Sequence, residues 1–510
     1  MNTLTKTKND DTNILLKSTI KTIIKQKFNG VYESHSFSNI VNMIMKLLNT
    51  NDVHVKNMVN RLLCKYTHII NDKMMIDTNN PSYNQYENIT KFLVVKYDMK
   101  QIKRTDKCYG PFSNSWVHDK IQFNDDISSS TLRYRYKIFK KLQSIIYPPQ
   151  RSQQWFAERD GLISASDIGL TIGDEHRMPI FVIVKKMRET FSNNKFTYHG
   201  KKMEEIATMI YEYRMNVKTE EFGLCHHPDY PFLGASPDGI VSEYKHDGIH
   251  LTELVGRMLE IKCPVTRKIN CFGEVRGTIC PTYYWDQVQI QLECCDLDEC
   301  DFWQCDIKEY SSKEEFENDT IIDEAYRSKK TTFEKGCLVQ ILPKDKIVPH
   351  DDPTYNDVVY GCAQFIHPPK IEMTPKDCDE WSQNVIKNLN KTHPDYCLDK
   401  VIYWYLNFSH CEKITRNRDW FSDNINKIKV MWDRILLLRS NDRYKKLFLD
   451  WFDYYIPSCN EYSRDPKIEE LQHGKNKLII DMLDEIAKLK GDKLENYVTD
   501  LENKIKLHKK

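Results

Sequence analysis

The sequence predicts an α/β core carrying helical extensions at both ends. Three observations lead there. Between about residues 150 and 367, strand-like and helix-like apolar patterns alternate and are punctuated by Gly and Pro. Upstream, residues 1–125 are polar with helical stretches. Downstream of the "HPPK" at 367–370 the chain reads helical to residue 510. The expected division is 1–125, 126–367 and 368–510.

The elements follow in order. In 36–49, Ile40, Ile44, Leu47 and Leu48 recur at helical spacing. Residues 130–150, "STLRYRYKIFKKLQSIIYPPQ", are basic and aromatic and close on Pro148-Pro149, a boundary signal. Arg133, Arg135, Lys137, Lys140 and Lys141 interleave there with Tyr134, Tyr136 and Phe139. That pattern suits nucleic-acid phosphates and bases, or else an amphipathic helix whose aromatics pack on a core. The "ISASDIG" of 163–169 reads as a helix start capped by Ser164 or Ser166. Residues 198–214 read as a helix with Met203, Ile206, Ala207 and Ile210 as its apolar stripe. Glu204 borders the stripe and Glu205 faces away. Residues 258–264, "MLEIKCP", read as a strand that sets Glu260 and Lys262 on one face. Residues 283–295 read as a helix with Gln287 and Gln291 on one face and Trp285, Val288 and Leu292 toward a core. The span 478–507 looks like one long surface or coiled-coil helix.

Composition narrows the class. The 510 residues are 40% hydrophobic and 29% charged, as in a globular protein, with a net charge of +1. Any nucleic-acid surface is therefore a local patch. The first residues lack the apolar segment of a signal peptide, and no run approaches the roughly 18 apolar residues of a membrane span. The expectation is an intracellular, cytoplasmic protein, without membrane contact. Sixteen cysteines are then mostly reduced thiols, and no C-x-x-C pair occurs. The "CHHPDY" of 225–230 reads as a loop before a strand rather than a zinc site.

The chemistry concentrates in one constellation. "LGASPDGIV", residues 233–241, holds a Pro-Asp-Gly turn that leads into a strand. Asp238 at that turn can stand beside the outward face of the next strand, with Glu260 and Lys262. Alone, Asp238 is a turn residue, and Glu260 with Lys262 is a sheet-surface ion pair. Together they suit phosphodiester hydrolysis. Carboxylate oxygens are hard ligands for Mg²⁺, and a compact lysine ammonium can hold an attacking water or stabilise a phosphoryl oxygen. Arg159, close to the capped start at 163–169, offers a forked phosphate donor.

Five ordered motifs, "WFAERDGLISAS", "GKKMEEIA", "SPDG", "LEIKCP" and "QVQ", cover about residues 150–310. They resemble the lambda-exonuclease or YqaJ-type viral recombinase branch of the PD-(D/E)xK nucleases, also described as Cas4-like. The long extensions and low-complexity flavour resemble giant-virus members of that branch, those of mimivirus above all. The resemblance implies a central mixed sheet flanked by helices and Mg²⁺- or Mn²⁺-dependent DNA cleavage, with two ions. It implies that Asp238, Glu260, Glu204 and the Ile261 carbonyl bind metal, that Lys262 is the catalytic lysine, and that Gln287 arranges water or substrate. It puts Arg159 and Ser166 where the family grips a terminal phosphate or the DNA backbone. DNA is the implied partner, with recombination or helicase proteins and a homo-oligomer as further partners, and a viral factory as the setting.

The sequence departs from that pattern in three respects. Twenty-two positions separate Asp238 from Glu260, so the hairpin is enlarged. The extensions have no counterpart in a minimal member. Cys294, Cys295, Cys300 and Cys305 lack the spacing of a Cas4 cluster, so no iron–sulfur cluster is expected. The implied activity is exonucleolytic on double-stranded ends. A structure-specific or restriction-like endonuclease, or a non-catalytic DNA-binding scaffold, are the alternatives.

Overall fold

The computed structural model describes residues 129–173, 178–188, 194–456 and 466–508. The expected N-terminal unit 1–125, with its helix at 36–49, lies outside them.

The first helix, α1 (Ser129–Gln143), settles the basic–aromatic window toward packing. Leu132, Ile138, Phe139 and Leu142 are buried, and Phe139 meets Phe222 edge-on at 6.0 Å. Arg135 pairs with Glu299 at 2.7 Å and Lys140 with Glu243. Arg133, Lys137 and Lys141 remain on the exposed face.

Helix α2 (Gln153–Asp160) follows, capped by Ser152, whose hydroxyl accepts from the Trp155 N–H. The chain then makes β1 (Ile163–Ser164), a 3₁₀ turn (Ala165–Asp167) and α3 (Ile168–Thr171). The expected serine cap is absent there: neither helical start carries a side-chain cap bond. The Ser164 hydroxyl donates instead to Asp167 at 2.8 Å. Helices α4 (Ile180–Met187) and α5 (Lys195–Met215) come next.

Two sheets hold the middle of the chain. The smaller runs β1-β4-β3, with β3 (Cys225–His226) and β4 (Leu233–Ala235). Cys225–His226 is thus a short strand where a loop was expected. The larger runs β2-β5-β6-β7-β10-β8-β9. Its strands are β2 (Thr219–Glu220), β5 (Gly239–Val241), β6 (Met258–Lys262), β7 (Glu299–Glu309), β8 (Lys335–Pro343), β9 (Gln364–Ile366) and β10 (Tyr396–Thr415). Strands β6 and β7 are parallel, and the other neighbours in this sheet antiparallel.

Strand β6 lies between two helices. Leu259 and Ile261 join Met203, Ile206, Ala207 and Ile210 of α5 in one core. On the other side, Met258 joins Val288 and Leu292 of α6 (Thr282–Cys295). Glu260 shares that second side. It is fully buried, so it is no sheet-surface residue.

The helical reading past residue 367 needs correction. Helices α7 (Lys313–Asn318), α8 (Tyr355–Cys362) and α9 (Pro375–Thr392) precede the 20-residue β10, which inserts between β7 and β8. The sheet therefore takes strands from both sides of the expected boundary. The "VIYWYLNF" of 401–408 is a run of β-branched and aromatic residues, which favour a pleated surface over a helix.

The last helices are α10 (Arg418–Arg439), α11 (Asp442–Tyr455), α12 (Pro466–Lys488) and α13 (Asp492–His508). The expected single helix over 478–507 is two, because Gly491 takes a left-handed φ of +54° between them. These helices share a core with α1 and α6: Trp420 meets Trp285 edge-on at 5.5 Å.

Candidate active site

Three carboxylates and a lysine gather where β5 leaves the turn and β6 ends. Gly239 pairs with Leu259 in the antiparallel ladder, so one further step sets Asp238 opposite Glu260. The enlarged hairpin does not disturb this register. Its extra residues fold back on themselves through a Tyr244–Leu251 bridge. Asp238 is fixed by the Ile261 N–H, which donates to its Oδ2 at 2.6 Å.

Glu260 is held at both oxygens. Its Oε1 accepts from Lys262 and from Gln287 Nε2, the latter at 2.7 Å, and its Oε2 accepts from Gln291 Nε2 at 2.6 Å. Gln291 also reaches the Ser236 carbonyl at 3.4 Å, which ties α6 to the Ser-Pro-Asp-Gly turn. Sequence reasoning set both glutamines on one face and gave a role to Gln287 alone. Their four-residue spacing was the signal, since it puts both amides on one face of the helix.

Lys262 is half-buried, with its ammonium 4.5 Å from the Tyr284 ring centre. Burial lowers its basicity, but Glu260 and Asp238 outweigh this and raise it. In this arrangement Lys262 is an ammonium donor and not a proton acceptor. Glu204 projects from α5 toward the same place and pairs with Arg151 at 3.1 Å. Burial, then the Glu260 and Glu204 charges, hold the Asp238 carboxyl well above its usual range against Lys262 and the Ile261 N–H. Glu204 is raised too, by burial first, with Arg151 and Lys262 opposing and Glu260 adding. Carboxylates that lift one another in this way are relieved by a proton or by a bound cation.

Among the described residues, no three His, Cys, Asp or Glu side chains stand in an arrangement that could hold a metal ion as they are. The donor chemistry nonetheless fits one. Hard oxygens, partly desolvated and in excess over nearby cations, are what Mg²⁺ and Mn²⁺ take. Here Lys262 and Arg151 serve as the balancing cations.

A second cluster is basic. Arg159 Nη2 donates to Ser166 at 2.6 Å and lies 3.3 Å from Ser164, while its guanidinium stacks on Trp155 with 4.8 Å to the ring. Trp155 Nε1 donates to Ser236 at 3.1 Å, anchoring the cluster to the Asp238 turn. Two lysines that sequence reasoning missed complete it. Lys185 pairs with buried Asp167 at 2.5 Å, and Lys186 donates to the Arg159 carbonyl at 2.8 Å. Burial brings Lys186 down to about 8, with Lys185 and Arg159 adding to the effect and Asp167 and Asp160 opposing it. Three cations around one acid make this the electropositive counterpart of the carboxylate floor.

Two other features lie apart from the site. Cys294, Cys295, Cys300 and Cys305 are buried thiols within the apolar cores. A recess of about 680 Å³, lined by Arg135, Glu299, Lys413 and Arg416, contains none of the site residues. Arg135, Lys413 and Arg416 are paired there with Glu299, Glu293 and Asp296.

The chain is 35% identical over 362 residues to "Uncharacterized protein R354" of Acanthamoeba polyphaga mimivirus. The match takes in 69% of this chain and 64% of the relative, so the chain spans less than two thirds of the relative's length. Among solved structures it is similar to an alkaline exonuclease (LHK-Exo) from Laribacter hongkongensis, at 15% identity and a TM-score of 0.31. That match covers 58% of this chain and 100% of the other. The same exonuclease in complex with dAMP matches with a TM-score of 0.30, over 57% of this chain and 97% of that one. Among the described residues, no helix is long and apolar enough to cross a membrane. The segment that builds both clusters, residues 154–298, matches the YqaJ-like viral recombinase domain, the family branch that its motifs resemble.

Proposed function

We propose that this chain is a metal-dependent DNA nuclease, acting as an exonuclease on double-stranded ends in viral recombination, repair or defence. The observation that supports this most is the meeting of Asp238, Glu260, Glu204 and Lys262 at the end of β6, with a basic cluster anchored to the same turn. Asp238, Glu260, Glu204 and the Ile261 carbonyl are the residues to hold Mg²⁺ or Mn²⁺. A bound divalent ion supplies Lewis acidity toward a phosphoryl oxygen and a more acidic water.

The chain's own groups do the rest. Gln287 and Gln291 fix the two oxygens of Glu260. Lys262, kept protonated by its acidic neighbours, donates to the attacking water or to a phosphoryl oxygen as charge develops. Arg159 and Ser166, with Lys185 and Lys186 behind them, grip a phosphate of the DNA. The setting is the cytoplasm of an infected host, where recombination or helicase proteins and a second copy of the chain are the partners in prospect.

The test is cleavage of end-labelled linear and closed circular duplex DNA with Mg²⁺ or Mn²⁺. Linear DNA should be digested from its ends and circular DNA spared, and Asp238→Asn or Glu260→Gln should abolish digestion. Nicking of circles would move the reading to an endonuclease. DNA binding without cleavage under either ion would move it to a scaffold.

A further inference from the structure

We infer that Arg151 is a DNA-phosphate contact held in reserve on Glu204, released when a cation takes its place. This rests on the nuclease reading above and adds a substrate-contacting residue that the motifs do not contain.

Arg151 has a φ of +66°, a left-handed backbone that favours glycine. A long cationic side chain is uncommon at such a position. That side chain lies at the site: Nη2 stands 3.1 Å from Glu204 Oε2 and 3.5 Å from Oε1. Both partners are partly open, with side chains 52% and 37% exposed. Such a pair is weakly held and exchanges readily.

The backbone carrying it is pinned. Gln150 Nε2 donates to the Phe222 carbonyl at 2.8 Å and lies 3.4 Å from that of Pro237, the residue before Asp238. Ser152 on the other side caps α2. The mount is thus fixed to the Asp238 turn, while the guanidinium rests on the partly exposed Glu204. Lys201, held by the Ala363 carbonyl at 2.9 Å, lies close enough for its charge to be felt with that of Arg151. The two form a cationic rim beside the acidic floor. A divalent ion at Glu204 removes the attraction that holds Arg151 inward, and its fork then suits a phosphate arriving at the rim.

The test uses the full chain and two variants, R151G and R151K. R151G suits the left-handed backbone, so its melting temperature should match or exceed wild type. Three readouts follow. Fluorescence anisotropy with a labelled duplex in Ca²⁺, across a salt series, should show affinity down on the order of tenfold and a log–log salt slope smaller by about one. Calorimetric titration of Mn²⁺ without DNA should show tighter binding to R151G, because the competing guanidinium is gone. R151K should keep the salt slope but raise KM, since a lysine lacks the fork. An unchanged slope and unchanged Mn²⁺ affinity in R151G overturn the inference and make the pair structural. The nuclease reading fails separately: a wild-type chain that neither binds nor cleaves DNA sinks both, before any variant is made.

Discussion

Replacing Gln291 with leucine tests whether the site works through an oriented Glu260. Gln291 is 1% exposed and gives Glu260 Oε2 a 2.6 Å bond. A hydrogen bond to a charged group contributes roughly 1.5–3 kcal/mol. Gln291 Oε1 is buried without a partner, so removing it recovers about 1 kcal/mol. Leucine is of similar size, and the expected net loss is about 0.5–2 kcal/mol. A fold of ordinary stability survives that, at about 5–15 kcal/mol. Activity should fall by roughly 10- to 100-fold, as when a group that orients a metal ligand is lost. The two effects separate when Q291L alone is scored by single-turnover cleavage and a double-mutant cycle with E260Q is scored by Mn²⁺ titration. If Gln291 acts through Glu260, Q291L should cost little more once E260Q is present. Cleavage by Q291L within about twofold of wild type would refute the reasoning. So would a Mn²⁺ affinity that Q291L lowers equally in both backgrounds.

Three other outcomes follow from the geometry. Lys262→Met should lower turnover by about 100-fold while DNA affinity stays near wild type, and arginine should restore little; a lower melting point with normal turnover returns Lys262 to a plain ion pair. Arg159→Ala should slow cleavage of 5′-phosphorylated ends more than of 5′-hydroxyl ends, and equal slowing would make Arg159 a general backbone contact. Glu299 pairs with Arg135 and Arg257 at 2.7 Å and Lys413 at 3.2 Å; against burial, these cations pull its carboxyl from 4.5 to about 2. Its folded value is depressed, so its contribution is complete above pH ~4.5 and fades as the pH falls toward 2, by up to roughly 3 kcal/mol. Acid titration of stability should therefore be shallower in Glu299→Gln, and an identical acid limb would show the cluster to be inert.

The strand bearing Glu260 and Lys262 was legible because its signal is local. The alternation around Glu260 and Lys262 and the Pro-Asp-Gly turn need only nearest neighbours to be read, and the register then brings Asp238 opposite Glu260. The helices bearing Glu204 and Gln287 were legible for the same reason, through their apolar stripes. What escaped depends on distant partners. Glu260 was readable as a strand residue, but its burial comes from α6. Lys185 and Lys186 look like the polar end of a helix until Asp167 and the Arg159 carbonyl are set beside them. Arg151 gives no sign in the sequence, since its backbone angle and Glu204 contact arise only in the fold. The serine cap failed because the Ser164 hydroxyl found the buried Asp167 side chain instead of a backbone N–H. Strand β10 was lost among helical neighbours although its aromatic run argued for it.

The placement of β10 has a consequence for how this protein comes into being. Strand β7 pairs with β6 on one edge and needs β10 on the other, with partners running from Glu309–Trp404 to Glu299–Thr415. Those partners are made about a hundred residues later, so the sheet bearing Glu260 cannot close on the ribosome until residue 415 has emerged. Until then β7 presents a long apolar edge that invites wrong pairing. The candidate site thus lacks its full sheet through most of the chain's synthesis. A fragment cut to residues 154–298, the matched domain alone, lacks β7 altogether and should yield insoluble or unfolded material.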